Sequence, residues 1–130
     1  FGQLVRQLGE AAASRANLSV ECHVDGAEWT LPAEVQITLY RIAQEALNNT
    51  GKHASASRAQ LHLRWTGDAL SMRIQDDGRG FDPKATPPGR LGMSIMHERA
   101  RAIGARIRIE SRPGAGTRVA TRWRRHSALS

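Results

Sequence analysis

The sequence predicts an α+β fold, a two-layer α/β sandwich in which a mixed, mostly antiparallel sheet carries its helices on one face. The chain has 130 residues, 40% of them hydrophobic, which is enough for one domain with its own core. Two segments repeat apolar residues at helical spacing, a third helix is expected before Gly104, and five segments alternate apolar with polar residues as strands do. Four of the five strand segments form two hairpins, because only a turn separates the members of each pair.

The N-terminal half is predicted to form a helix, a strand and a second, longer helix. Helix formers fill residues 3–17, with apolar residues at Leu4, Leu8, Ala12 and Ala16. Residues 18–24 alternate as a half-buried strand that ends at the turn Asp25-Gly26. Pro32 suits the first turn of a helix, and no breaker follows until about residue 53. The predicted buried stripe of this long helix is Leu31, Val35, Leu39, Ile42, Ala46 and Leu47.

The C-terminal half is predicted to form two hairpins around a third helix. The first hairpin spans residues 58–76 with a turn at Gly67-Asp68. Its core candidates are Leu61, Leu63, Met72 and Ile74. Residues 77–91 are rich in glycine and proline and form a long loop of the kind usually kept for function. A helix from about residue 92 to 103 ends at Gly104, and a hairpin with its turn at 113–116 completes the sheet.

The composition excludes some classes of protein. Cys22 is the single cysteine, so an internal disulfide framework is excluded and a reducing cytoplasm is expected. No run approaches the roughly 20 apolar residues that span a bilayer. The net charge of +7 would suit nucleic acid, yet many arginines alternate with apolar residues as the solvated face of strands does. We therefore expect no nucleic-acid partner, and a basic nucleic-acid-binding module remains the alternative.

Three segments contain polar residues and glycines that the packing of a core does not require. On the long helix, Glu45 and Asn49 are four residues apart, so their oxygens can face one hard cation such as Mg²⁺. Lys52 and His53 follow one turn later and could meet phosphate oxygens. In isolation, an ordinary surface stripe explains this segment as well.

The second segment, Asp76-Asp77-Gly78-Arg79-Gly80, directly follows a predicted strand. A carboxylate there can accept a hydrogen bond from an exocyclic amine, and the two glycines let backbone approach a flat ligand. The third, Gly89-Arg90-Leu91-Gly92-Met93, opens a helix whose free amides and dipole favour phosphate. Each segment alone could be an ordinary loop or helix start. The P-loop and Rossmann fingerprints are both absent from the sequence.

Together with Gly116-Thr117 in the last hairpin, the order and spacing of these segments resemble the GHKL ATPase superfamily. That superfamily includes histidine kinases, gyrase-type topoisomerases and mismatch-repair ATPases. The ATP-binding domain of sensor histidine kinases of the nitrate/nitrite-sensor type, whose partners are NarL-like, is the closer resemblance. It is carried by residues 39–49, by Lys52-His53-Ala54 and by residues 96–100, and it covers about residues 31–124.

The resemblance implies a Bergerat-type ATP-binding fold and a role for each segment. Asn49 would ligate Mg²⁺, Glu45 would assist the metal or act as a base, and Lys52 and His53 would lie near the phosphates. Asp76 would bind the adenine amino group. The remaining expected nucleotide-binding residues are Gly78, Gly80, Gly89, Gly92, Met93 and Thr117. Residues 82–91 would be the lid over ATP.

The resemblance also implies which parts lie outside this sequence. Residues 1–17 would be the end of a helical linker from a dimerisation and phosphoacceptor domain, 18–126 the catalytic domain, and 127–130 a tail. His97-Glu98 resembles the start of a phosphoacceptor motif but lies on the third helix, so we expect His97 to be a surface residue. The partners would be ATP, that missing domain and a response regulator.

The longer protein would be a homodimer anchored in the bacterial inner membrane with this domain in the cytoplasm, and the chain alone would be a monomer. Two further alternatives stay open. One is a serine kinase of the anti-sigma type, and the other is a degenerate domain that acts only as a scaffold.

Overall fold

A computed structural model describes residues 1–52, 56–82, 84 and 92–125 of the chain, without the side chains of residues 51 and 52. This part of the chain contains the helices and strands in the predicted order. They are α1 (Gly2–Ala16), β1 (Ser19–Asp25), α2 (Ala33–Lys52), β2 (Arg58–Trp65), β3 (Ala69–Asp76), α3 (Met93–Ala102), β4 (Arg106–Ser111) and β5 (Thr117–Arg124).

The five strands form one sheet in the order β1-β2-β3-β5-β4. Strands β1 and β2 are parallel, because α2 crosses between them, and every other neighbouring pair is antiparallel. The hairpins β2–β3 and β4–β5 lie next to each other through β3 and β5. The predicted fold class, a mixed and mostly antiparallel sheet, is therefore confirmed.

The core lies between the sheet and the three helices. All four predicted core residues of the first hairpin are at most 2% exposed, and the whole predicted stripe of α2 is buried. The predicted face of α1 is wrong by one residue, since Leu4 is 40% exposed and Val5 is buried instead. Val5, Leu8 and Ala12 form one helical stripe, and this stripe rather than Leu4 faces the core.

The opposite face of the sheet has no helix over it among the described elements, and exposed arginines from four of its strands cover it. The expected solvated arginine face is thus confirmed. None of the described helices combines the length and hydropathy that a membrane crossing requires. Most of the predicted loop 77–91, namely residue 83 and residues 85–91, lies outside the described residues, as does the tail 127–130.

Candidate functional site

A buried carboxylate stands at the end of β3. Asp76 is only 8% exposed, and both of its oxygens accept hydrogen bonds from the protein. The backbone amides of Gly78 and Thr117 donate to Oδ1 at 2.9 and 3.2 Å. The Thr50 hydroxyl lies 3.0 Å from Oδ2. Three separate parts of the fold, the loop after β3, strand β5 and helix α2, therefore hold this one side chain in place.

Counting only donors from the described residues, the hydrogen bonds of Asp76 leave one acceptor position open. An ionised carboxylate has about four lone-pair positions and no proton to donate. Oδ1 receives two backbone amides and Oδ2 receives one hydroxyl, so the remaining lone pair is on Oδ2. A buried group that can only accept, with one position unused, is suited to a ligand that presents an N–H donor.

Thr50 was not predicted as a site residue. Its side chain is 2% exposed, and its hydroxyl lies 3.1 Å from the Ala46 carbonyl as well as 3.0 Å from Asp76 Oδ2. The sequence did contain a signal, because Thr50 continues the helical stripe of Leu39, Ala43 and Ala46. A hydroxyl in a buried stripe requires a polar partner, and Asp76 is that partner.

Glycines allow the loop after β3 to pack against the β4–β5 turn. Gly80 has φ +64°, and a side chain there would overlap the carbonyls of Arg112 and Gly116. Gly116 has φ +78°, and a side chain there would overlap the carbonyl of Asp76. Backbone can approach this closely only where no Cβ is present. The structure thus places the predicted residue Gly80 beside Gly116 and the base of the Asp76 site.

A second residue that was not predicted, Ser111, fastens the same loop to the sheet. Its hydroxyl oxygen accepts a hydrogen bond from the Phe81 amide at 2.9 Å. The same oxygen lies 3.0 Å from the Gly116 carbonyl and 2.9 Å from Thr117 Oγ1. Ser111 is the last residue of β4 and is 30 residues from Phe81 in sequence, and the pairing of β4 with β5 places it beside Thr117.

The first and third predicted segments meet at the start of α3. Gly92 caps this helix with φ +69°, and the Glu45 carboxylate of α2 lies so close that any side chain at Gly92 would overlap it. Asn49, one turn further along α2, is half-buried like Glu45. Met93 begins α3 and packs into the hydrophobic core. The arrangement places the Glu45 carboxylate beside the N-terminus of α3, with Asn49 one turn further along the same face of α2.

Three predicted site residues have no described side chain. Lys52 is the last residue of α2, and His53 and Gly89 lie outside the described residues. His97, in contrast, is exposed on α3 as expected for a surface residue.

Asp77 follows the buried Asp76 in the sequence, but its side chain binds the segment before β2 and not the open acceptor position of Asp76. Its side chain accepts hydrogen bonds from the amides of Ser57 and Arg58 at 2.9 Å and from the Ser57 hydroxyl at 2.8 Å. The Arg58 amide, followed by the Ser57 hydroxyl, holds the pKa of the Asp77 carboxyl below its usual range. This residue fastens the segment before β2 to the end of β3.

Comparison with known proteins assigns this arrangement to a family. Residues 34–127 match the family described as "Histidine kinase-, DNA gyrase B-, and HSP90-like ATPase". The chain belongs to this ATPase family. The match includes the whole site, from Glu45 through Asp76 and Gly92 to Thr117.

Relatives of this ATPase domain are sensor proteins. The chain is 38% identical over 92 residues to the sensor protein VraS of Staphylococcus saprophyticus, and 37% identical over 92 residues to VraS of Staphylococcus aureus strain COL. Each match covers 71% of this chain and 26% of the relative. The chain therefore matches about a quarter of the length of these relatives.

Solved structures share the fold of this ATPase domain. The histidine kinase AdeS of Acinetobacter baumannii superposes with a TM-score of 0.77 at 13% identity, covering 96% of this chain and 64% of that chain. The histidine kinase domain of the blue-light activated kinase from Erythrobacter litoralis EL346 gives 0.73 at 24% identity, covering 93% and 63%. At these identities the likeness concerns the fold.

Proposed function

We propose that this chain is the ATP-binding catalytic domain of a two-component sensor histidine kinase. It would present the γ-phosphoryl of ATP to a histidine that lies outside this sequence, for onward transfer to a response regulator. The observation that carries the proposal is the buried Asp76 carboxylate, which three protein donors hold with one acceptor position open. Its place in a family of ATPases supports adenine as the ligand base.

Adenine recognition would depend on the open lone pair of Asp76. The exocyclic amine of adenine is an N–H donor, which a base with a carbonyl at the same position does not offer. Gly78 and Gly80 would shape the pocket beside the base, because neither has a side chain to occupy it. Thr117, whose amide already donates to Asp76, would make the adjacent polar contact.

The Glu45–Asn49 face of α2 suits a magnesium ion with nucleotide phosphates. Glu45 and Asn49 provide a carboxylate and an amide oxygen, the hard donors that Mg²⁺ takes, and phosphates and water complete such sites. When bound, the ion would neutralise phosphate charge. Lys52 and His53 would lie near the same phosphates. Gly89 and Gly92 would be the hinge of a lid formed by residues 82–91.

An apolar groove supports the docking of a phosphoacceptor domain beside this site. The groove has a volume of about 630 Å³ and is lined by α1, α2 and α3. The large hydrophobic side chains that are exposed in the described part of the chain, Leu4, Ile37 and Ile95, all lie in it, and Glu45 is at its wall. An amphipathic helix that covered these side chains would approach the predicted phosphate end of the site.

The remaining features of the longer protein follow from the same proposal. Residues 1–17 would belong to the linker from the phosphoacceptor domain, 18–126 to the catalytic domain and 127–130 to a tail. The longer protein would be a homodimer in the bacterial inner membrane with this domain in the cytoplasm, and the isolated chain would be a monomer. The run 39–49 supports the nitrate/nitrite-sensor subfamily, with a NarL-like response regulator.

The metal assignment is tested by calorimetric titration with ADP, with and without Mg²⁺. Asn49→Ala should remove the gain in affinity that Mg²⁺ gives, and Asn48→Ala is the matched control, because Asn48 is also half-buried but points from a different face of α2. Equal Mg²⁺ dependence in the two variants would contradict the assignment of Asn49.

The acceptor is tested on the longer protein with γ-labelled ATP. Phosphohistidine is lost in acid and survives alkali, whereas phosphoserine survives acid. Label that is lost in acid supports the histidine kinase. Label that survives acid would identify a serine kinase of the anti-sigma type instead.

A further inference from the structure

The open face of the sheet, opposite the helices, carries a basic concavity of about 720 Å³. Five exposed arginines from four neighbouring strands surround it, and we name them the arginine cup. They are Arg64, Arg73, Arg106, Arg108 and Arg122. Of the described residues that line the cavity, none is acidic.

Two small residues form the floor of the arginine cup. Ser71 of β3 pairs with Arg64 on one side and Arg122 on the other. Ala120 of β5 pairs with Arg73 and Arg108 in the same way. Residues that alternate along a strand share one face of a sheet, so long side chains surround two short ones. The register of the sheet therefore creates the hollow.

Within the described part of the chain, no carboxylate compensates the charge of the arginine cup. Across the described residues, no cup arginine has a carboxylate within ion-pair distance. Arg106 and Arg122 are directly opposite each other on β4 and β5, and like charges in that position destabilise a sheet.

The nearby acidic residue Asp25 is already engaged. Its Oδ2 lies 2.6 Å from His62 Nε2, and Arg73 Nη2 lies 3.3 Å from the other nitrogen of the same ring. His62 therefore donates to Asp25 and accepts from Arg73, which orients Arg73 within the cup. A cluster of like charges that lowers stability and has no carboxylate partner among the described residues is typical of a binding site.

We propose that the arginine cup binds a compact anion with two or three linked phosphate groups. Guanidinium groups pair with phosphate oxygens through two parallel hydrogen bonds, and Ser71 adds a hydroxyl at the floor. From β2 to β4 the cup is three strand spacings wide, about 14 Å between strand axes, and it is about 7 Å along the strands. Several linked phosphates fit these dimensions and supply the negative charge that the cup lacks.

The surroundings of the cup favour a compact anion over a nucleic acid. Duplex DNA spreads its phosphates along a rod and selects for an extended basic surface. On this face the basic region is bounded, since Arg124 lies 3.8 Å from Asp68, and Arg118 is opposite Glu110. The cup also lies on the other side of the sheet from Glu45 and Asn49, so the inference is independent of the proposed ATPase site.

The proposal is tested by titrating inorganic tripolyphosphate into the chain at low ionic strength without Mg²⁺. The double variant Arg73→Gln/Arg122→Gln should lower the affinity at least about tenfold, because it removes two of the five guanidinium groups. The control Arg58→Gln/Arg118→Gln makes the same change in net charge on the same face outside the cup, and its affinity should stay within about twofold.

A second measurement compares the melting temperatures of the wild type and Arg122→Gln. Without ligand, Arg122→Gln should raise the melting temperature, since it removes the like-charge pair with Arg106. Tripolyphosphate should then raise the melting temperature of the wild type more than that of Arg122→Gln.

Three results would overturn the proposal. The first is no binding of tripolyphosphate at millimolar concentration. The second is an equal loss of affinity in both double variants, which would indicate diffuse electrostatics. The third is binding of duplex DNA that tightens as the duplex lengthens and that both double variants weaken equally. That last result would make the face a nucleic-acid surface.

Discussion

The hydroxyl of Thr50 is the most informative single group to remove. Thr50→Val keeps the shape of the side chain and deletes only the donor to Asp76 Oδ2. A hydrogen bond to a charged group stabilises by about 1.5–3 kcal/mol, and the added buried methyl group offsets about 0.8 kcal/mol of its loss. We therefore expect a destabilisation of about 1–2 kcal/mol, or roughly 4–7 °C in melting temperature for a domain of this size.

The assay is urea unfolding of the wild type, Thr50→Val and Thr50→Ser, each followed by titration with ADP. Thr50→Ser loses a buried methyl group at a cost of about 0.5–1.5 kcal/mol but keeps the hydroxyl. Both variants should thus be less stable, but only Thr50→Val should bind ADP more weakly, because only it leaves the Asp76 carboxylate less firmly oriented.

A double-mutant cycle with Asp76→Asn isolates the hydrogen bond. If Thr50 and Asp76 interact as the structure shows, the two changes should couple by about 0.5–3 kcal/mol. Stability of Thr50→Val within about 0.3 kcal/mol of the wild type, together with equal ADP affinity in the Val and Ser variants, would refute the reasoning.

Three further perturbations test the surroundings of the site. Gly92→Ala and Gly104→Ala both force alanine into a left-handed conformation, at a cost of about 1–2 kcal/mol. Only Gly92 lies against Glu45, so only Gly92→Ala should also weaken ADP binding in calorimetry. Ser111→Ala removes the acceptor that holds the loop after β3 and should cost about 1–2 kcal/mol in urea unfolding, with faster amide exchange in that loop. Asp77→Asn should lower the melting temperature at neutral pH, and the difference from the wild type should begin to shrink below about pH 4 and be lost as the pH falls through the lowered folded pKa.

The sign of the Asp77 prediction follows from its lowered pKa. The folded protein binds the proton less tightly than the unfolded chain, so the charged carboxylate stabilises the fold at pH values above the unfolded pKa. That contribution is lost as the pH falls through the folded pKa. A constant difference between the two melting temperatures from pH 7 to pH 3 would show that the carboxylate charge is not involved.

The sequence predicted the fold well because hydrophobic period and turn chemistry agreed throughout. The stripe of α2 and the period-two strands each allowed one burial pattern only, and the glycine turns limited where each strand could end. The face of α1 was harder to predict, because Leu4 and Val5 are both apolar and adjacent. Packing against α2 and β1 decides between them, and periodicity does not.

The sequence predicted several residues of the candidate site but not the hydrogen bonds that join them to the rest of the fold. Spacing along α2 placed Glu45 and Asn49 on one face, and the position of Asp76 after a strand marked a carboxylate of interest. Thr50 and Ser111 were missed, because the contacts that tie them to the site, Thr50 with Asp76 and Ser111 with Phe81, join residues 26 and 30 positions apart and form only after the sheet has formed. The nucleotide roles themselves remain predictions.

The central claim is that Asp76 accepts a hydrogen bond from the exocyclic amine of adenine. It is tested most directly by comparing ADP with inosine diphosphate, which has a carbonyl where adenine has the amine. In Asp76→Asn the amides of Gly78 and Thr117 keep the amide oxygen at the Oδ1 position, and the Thr50 hydroxyl can turn to the Ala46 carbonyl and accept from the new NH₂ group. The variant should therefore fold, with a donor in place of the open acceptor.

The measurement is the ratio of the two affinities in the wild type and in Asp76→Asn. We expect the wild type to prefer ADP by at least about tenfold, which corresponds to 1.4 kcal/mol, and the variant to lose that preference to within about twofold. A wild type that binds both nucleotides equally, or a variant that still prefers ADP by the same factor, would contradict the assignment of Asp76 to the adenine amine.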